Sequence, residues 1–175
     1  GGNSSEIFGS LVANGRIFLI NPSGIVFGAG SQVNVGSLVA STLNLKGNGN
    51  GNGQMPGQTI EFETGANAGG ILNAGSITAK DIVFLAPSIT NSGNLTAGLQ
   101  PQHQAGSGVS VNLIAAKEVT VNTSGSDLVV QAVEGHNNAL IQQLGQVLAE
   151  GGRIILLANA SNNGDPSVIN TAGVN

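Results

Sequence analysis

Leu72-Asn73-Ala74-Gly75-Ser76-Ile77-Thr78-Ala79 returns 18 residues later as Thr90-Asn91-Ser92-Gly93-Asn94-Leu95-Thr96-Ala97. Each copy is two short segments, in which apolar and polar side chains alternate, joined at an Asn-x-Gly corner. That alternation is the two-residue period of a strand with one buried face. A weaker echo runs over Gln142-Gln143-Leu144-Gly145-Gln146-Val147-Leu148-Ala149, and another opens at Ile169-Asn170-Thr171-Ala172-Gly173. Between them stand Ile82-Val83-Phe84-Leu85-Ala86, Val111-Asn112-Leu113-Ile114-Ala115 and Ile154-Ile155-Leu156-Leu157-Ala158. A unit of strand, corner and strand is too short to bury its own apolar side, whereas stacked units bury a continuous core. The chain therefore reads as all-β, a β-solenoid. Parallel crossovers are almost always right-handed, which specifies a right-handed parallel β-helix. With ~20–25 residues per coil, seven or eight rungs are expected, a rod on the order of 35–40 Å long at ~4.8 Å per rung. The corner Asn residues are expected to stack as amide ladders.

Composition agrees with a folded chain of this kind. The 175 residues, read as a single β-helical domain over 1–175, are 40% apolar, 8% charged and 3% aromatic, with 28 Gly. Apolar content gathered in short β-branched runs separates this chain from disordered Gly-rich sequences. A net charge of −4, with five basic residues scattered singly, offers no stripe for phosphates and no aromatic ladder for bases, so nucleic acid is not an expected partner. Cysteine is absent, which removes disulfides and thiol chemistry together. No apolar run approaches the ~18–20 residues needed to span a bilayer. The opening Gly-Gly-Asn-Ser-Ser is not a signal peptide.

Three segments, Ile17–Ile20, Ile82–Leu85 and Ile154–Leu157, are apolar on both parities, which requires cover on both faces. One sheet of the helix is therefore expected to carry an extra-helical hairpin or loop insertion on its outside, with Ile60-Glu61-Phe62-Glu63 as the covering strand. The tract 46–58, rich in Gly and Asn, has nothing to bury and reads as an exposed loop. Residues 137–150 mix a helical stripe (Leu140, Leu144, Val147, Leu148) with the strand repeat. One helical turn at 138–144 followed by strand accommodates both. Val109, Val111, Leu113, Val119 and Val121 read as one inward stripe, with Ser110 and Asn112 outward.

The candidate functional stretch is Gly15-Arg16-Ile17-Phe18-Leu19-Ile20-Asn21-Pro22-Ser23-Gly24-Ile25-Val26-Phe27-Gly28-Ala29-Gly30. Two apolar strands flank Asn21-Pro22-Ser23-Gly24. Pro22 presets φ for the second turn position, Asn21 bonds its own backbone ahead, and Gly24 accepts positive φ. With Gly9–Asn14 before it and Ser31-Gln32-Val33-Asn34-Val35-Gly36-Ser37-Leu38-Val39-Ala40-Ser41-Thr42 after it, this run resembles the two-partner secretion domain of filamentous-haemagglutinin-type exoproteins. The likeness is dense over 4–45 and continues loosely through Gly151–Ala158. The family's usual Asn-Pro-Asn-Gly-Ile carries Ser23 here in its third place, and a second Asn-Pro motif found in some members is absent.

The resemblance implies a secretion-signal and folding-template domain of a large adhesin, secreted to the bacterial cell surface through an outer-membrane β-barrel transporter with periplasmic recognition modules. A signal peptide and N-terminal cap are then expected upstream, with a longer rod downstream. A host-cell or polysaccharide target is expected for the whole protein. Asn21, Pro22, Ser23, Gly24 and Ile25 are the residues assigned to the turn and to secretion recognition.

The competing class is a polysaccharide-binding or polysaccharide-active β-helix. An enzyme of that kind needs carboxylates and basic groups clustered on one sheet, and 14 scattered charges argue against it. Glu61 and Glu63 share one side of a strand but read as a solvated face. His103 and His136 have no partner at metal-ligand spacing. Asp81, Asp127 and Asp165 stand alone, and no Gly-x-Ser-x-Gly elbow is present. No catalytic residue, metal or cofactor is expected. The four sequons, at Asn3, Asn94, Asn122 and Asn159, are about what an Asn-rich, Ser/Thr-rich chain carries by chance.

Overall fold

Period-two segments separated by Gly and Asn corners fold into a β-helix with three strand faces. The structure, a computed structural model, describes residues 2–46, 59–98, 108–125, 127–161 and 167–171. The Gly-Asn tract, His103 and Asp165 lie outside these residues, apart from Lys46 at the start of the tract. No helix occurs among them.

One face is a six-stranded parallel sheet of Ser5–Ile7, Ile25–Phe27, Ile71–Asn73, Ser88–Asn91, Leu140–Gln143 and Val168–Thr171. The long strands Ser10–Ile20 and Gln32–Ser41 bend across the other two faces, so these join as one sheet. Residues 32–34 pair with Ser76–Ala79, while 37–41 pair with Asp81–Leu85. The second face continues through Asn94–Ala97 and Gln146–Ala149, and the third through Ser110–Ala115 and Arg153–Ala158. The sequence repeat is the rung repeat: Ile71 pairs with Ile89 and Ile77 with Leu95. The echo at 142–149 stacks on the next rung, with Thr90 opposite Gln142 and Leu95 opposite Val147.

Among the described residues there are five complete rungs and the first strand of a sixth, not the seven or eight expected. The shortfall has a physical cause. Two insertions, one between Ser41 and Ile71 and one between Ala115 and Leu140, leave the coil and form an antiparallel sheet of their own. At ~4.8 Å per rung, five rungs make a rod of about 24 Å. The expected helical turn at 138–144 is also corrected. Leu140–Gln143 is strand, and Asn138 takes a positive φ of 61°, incompatible with a helix.

The interior is one apolar cluster fed by all three faces, including Ile25, Leu38, Ile71, Ile89, Leu95 and Leu113, each no more than 2% exposed. Phe27 and Phe84 stack inside it with ring centroids 5.9 Å apart. At the corner between the first two faces, buried amides form the expected ladder. Asn73 Nδ2 donates to Asn91 Oδ1 at 2.7 Å, and Asn91 Nδ2 donates to Gln143 Oε1 at 3.0 Å.

The extra-helical sheet runs Val129–Glu134, Glu118–Asn122, Thr59–Glu63, Asn44–Leu45. Ile60 and Phe62 indeed cover the outside of the third face, joined by Val119, Val121 and Leu128 over Val39, Val83, Leu85 and Ile114. This second core explains why Asp81–Leu85 and Ser110–Ala115 are buried at every position. It also corrects the stripe at 109–121: Val109, Val111 and Leu113 face the rod interior, while Val119 and Val121 belong to the outer core. Ser110 and Asn112 point out of the rod yet are buried, bonded to Asp81 and to each other. Cover is incomplete on the last rung, where Leu157, in register with the covered Ile114, is exposed.

Candidate functional site

The corner at Asn21–Ile25 takes the chain from the third face of the first rung into the first face of the second. The Gly24 N–H donates to the Asn21 carbonyl at 3.0 Å, closing a four-residue turn with Pro22 at its second position. The Ser23 N–H donates to Asn21 Oδ1 at 3.0 Å, the forward side-chain bond expected of Asn at a turn. Gly24 has φ +124°, which side chains disfavour, and a Cβ there would find only ordinary contacts at 3.4–3.5 Å. Glycine is therefore required by the backbone conformation and not by lack of space. Ile25 is fully buried in the rod interior, whereas Asn21, Pro22 and Ser23 are half-buried.

What the corner touches extends over three rungs. Asn21 Nδ2 donates to the Asn3 carbonyl at 3.0 Å and to Ser5 Oγ at 2.9 Å on the first rung. The Asn21 N–H donates to the Ser41 carbonyl on the second. The Pro22 carbonyl accepts from the Gly69 N–H at 2.7 Å, and the Ile25 N–H donates to the Gly70 carbonyl, both entering the third rung. The approach at Gly69 is tight: a Cβ there would lie 2.6 Å from the Ser23 carbonyl oxygen. The structure places the five corner residues at one turn, and sequence reasoning missed Ser5, Ser41 and Gly69, which bond to it. The Gly69-Gly70 pair before an apolar strand was the available signal.

Chemically the corner offers hydrogen-bond donors and acceptors, with the Glu6 carboxyl beside it. Together with Gly2, Asn3, Ser4 and Glu6, Ser23 lines a shallow polar depression. Elsewhere, no three His, Cys, Asp or Glu side chains among the described residues converge as a metal site. The Glu61 and Glu63 strand lies in the outer sheet, with Glu118 opposite Glu63. Two carboxylates of that sheet sit on lysines: Glu118 is 3.0 Å from Lys46, and Glu134 is 2.8 Å from Lys117.

Asp81 is the buried exception. It is 1% exposed, and burial pushes its carboxyl above the ordinary aspartate range. Hydroxyl donation from Ser110 at 2.8 Å, the Lys80 ammonium at 3.8 Å and donation from Ser37 oppose that push. Its neighbours serve to hold a carboxyl inside the fold.

Comparison with known proteins places these features in a family. A family model for the TPS secretion domain matches residues 1–174. The solved HMW1 secretion domain from Haemophilus influenzae has the same fold, with a TM-score of 0.64 at 22% identity over 87% of this chain and 41% of that one. A heme/hemopexin-binding protein of Haemophilus influenzae strain Rd is 38% identical over 101 residues, which is 55% of this chain and 11% of that protein. A second protein of that name from Haemophilus influenzae is 46% identical over 46 residues, 26% of this chain and 5% of the relative. The chain thus spans about a tenth or less of the length of these relatives. By its family match along almost the whole chain and its β-helical fold, the chain belongs to the TPS secretion domains, through which two-partner exoproteins are exported by an outer-membrane transporter to the cell surface or beyond.

Proposed function

We propose that this domain carries the signal read by the periplasmic modules of its transporter, and that it templates the folding of a longer adhesive rod once outside. The Asn21–Ile25 corner serves the second task first, by locking the early rungs in register. The observation that carries this reading is the reach of one turn: its side chains and backbone bond the first, second and third rungs at once. A β-helix grows by adding strands to an open edge, and a corner that fixes the first three rungs supplies a stable edge early.

Gly24→Val tests the assignment. A β-branched residue at φ +124° strains the turn, so the purified domain is expected to refold more slowly and to a less stable state. Its binding, while unfolded, to the transporter's periplasmic modules is expected to match the parent. A variant that refolds like the parent yet fails to bind overturns the structural role and makes the motif an address. Ser23→Asn, which installs the family's usual residue, is expected to be neutral or slightly stabilising, since Asn suits turns.

The adhesive target belongs to the whole exoprotein, and a host-cell or polysaccharide ligand is the class proposed for it. A non-enzymatic role is favoured because the outer-sheet carboxylates Glu118 and Glu134 are engaged by lysines.

A further inference from the structure

One polar line crosses every rung at the start of the third face. Arg16, Ser37, Asp81, Ser110 and Arg153 stand in register on rungs one to five. The end of the outer hairpin lies along this line. Arg16 donates through Nη1 to the Thr123 carbonyl at 3.0 Å and through Nη2 to the Gly125 carbonyl. Lys80, 2% exposed, places its ammonium 2.6 Å from Asp127. Asp127 also lies against Gly108 on rung four, where a Cβ would be 3.3 Å from its Oδ2.

The four strands of the outer sheet pair only with one another, and none joins a ladder of the rod. Lifting the sheet therefore breaks no pairing with the rod; it separates the outer apolar core and releases the two cationic clamps, and without that core the sheet's own strands come apart together. Apolar contact is non-directional and does not by itself fix where a sheet sits. A guanidinium fork on two carbonyls and a short ammonium–carboxylate pair do fix it.

We propose that the outer sheet is a separately opening unit strapped across the rungs, with Arg16 and Lys80 as the positioning residues that hold it. The strap ties the first rung to a hairpin that enters the chain only after the fourth. The outer face of Val39, Val83, Leu85 and Ile114 is thus sealed after the rungs beneath it have formed. The device rests on the fold alone and holds whichever role the Asn21 corner plays in export.

Hydrogen exchange on the full chain, read by mass spectrometry, tests it. In the parent, Thr59–Glu63, Glu118–Asn122 and Val129–Glu134 are expected to exchange at one shared rate, at least tenfold faster than Ser88–Asn91 and Asn94–Ala97. Arg16→Gln and Asp127→Asn, on different rungs of the strap, are each expected to accelerate that whole set together and leave the Ser88–Ala97 strands unchanged. A parent in which sheet and rungs exchange at one rate overturns the proposal, and this reading needs no variant to fold. So does a substitution whose effect stays with its immediate neighbours or spreads equally to every rung.

Discussion

Asn91→Leu isolates what the amide ladder contributes. The side chain is fully buried, accepts from Asn73 at 2.7 Å and donates to Gln143 at 3.0 Å. Leucine has the same branching and is bulkier, so no cavity opens, and its extra bulk in a packed interior can only add to the hydrogen-bond cost. Two hydrogen bonds are lost, at about 1 kcal/mol net each. Gln143 Oε1, in a residue 1% exposed, loses its Asn91 donor, which adds about 1–3 kcal/mol. Asn73 Nδ2 keeps a 3.4 Å contact with the Gly75 carbonyl and adds little. The sum is about 3–5 kcal/mol, read as the shift in urea midpoint at constant slope. For a domain of this size that is a fall in Tm of roughly 6–20 °C. Thr90→Val, on the same strand but half-buried on the outer side, is the control and is expected to change stability by under about 1 kcal/mol. If Asn91→Leu costs less than 1 kcal/mol, or if Thr90→Val costs as much, the ladder does not hold the rungs as argued.

Leu113→Ala removes a fully buried side chain from the rod interior and is expected to cost about 2–5 kcal/mol in the same assay. Gly69→Ala sets a methyl 2.6 Å from the Ser23 carbonyl and is expected to destabilise by several kcal/mol, on the order of a large core defect; a neutral result would show that the two corners are not in close contact. Because burial raises the Asp81 pKa above its ordinary 3.8, the folded state holds the proton more tightly than the unfolded chain. The stability this contributes is full below pH 3.8 and is lost as pH rises through the folded value. Asp81→Asn is expected to flatten that part of a stability–pH curve, and an unchanged slope would show that Asp81 is not its source.

Much of the fold was legible because β-helix rungs repeat in sequence what they repeat in space. The 18-residue offset between Asn73 and Asn91 is the coil length itself, and their amides bond. The two-parity apolar runs foretold cover on the third face, and Ile60 and Phe62 supply it. Rung number was not legible, because the repeat is silent about chain that leaves the coil. Val119 and Val121 have the same alternation as Val111 and Leu113, and only the return of the hairpin decides which core they enter. The burial of Ser110 and Asn112 was hidden for the same reason: a polar residue facing out of the rod is solvated unless another layer covers it. At the corner, turn chemistry is local and was readable, whereas Ser5, Ser41 and Gly69 meet it only through the coil.

Export of the domain is the most direct test of the account. The chain would be placed behind a cleavable signal peptide in cells with and without its partner outer-membrane transporter, and the medium assayed for folded, protease-resistant domain. Folded domain is expected outside only when the transporter is present, with Gly24→Val reduced in proportion to its loss of folding. Equal accumulation in the periplasm of both strains would contradict the account.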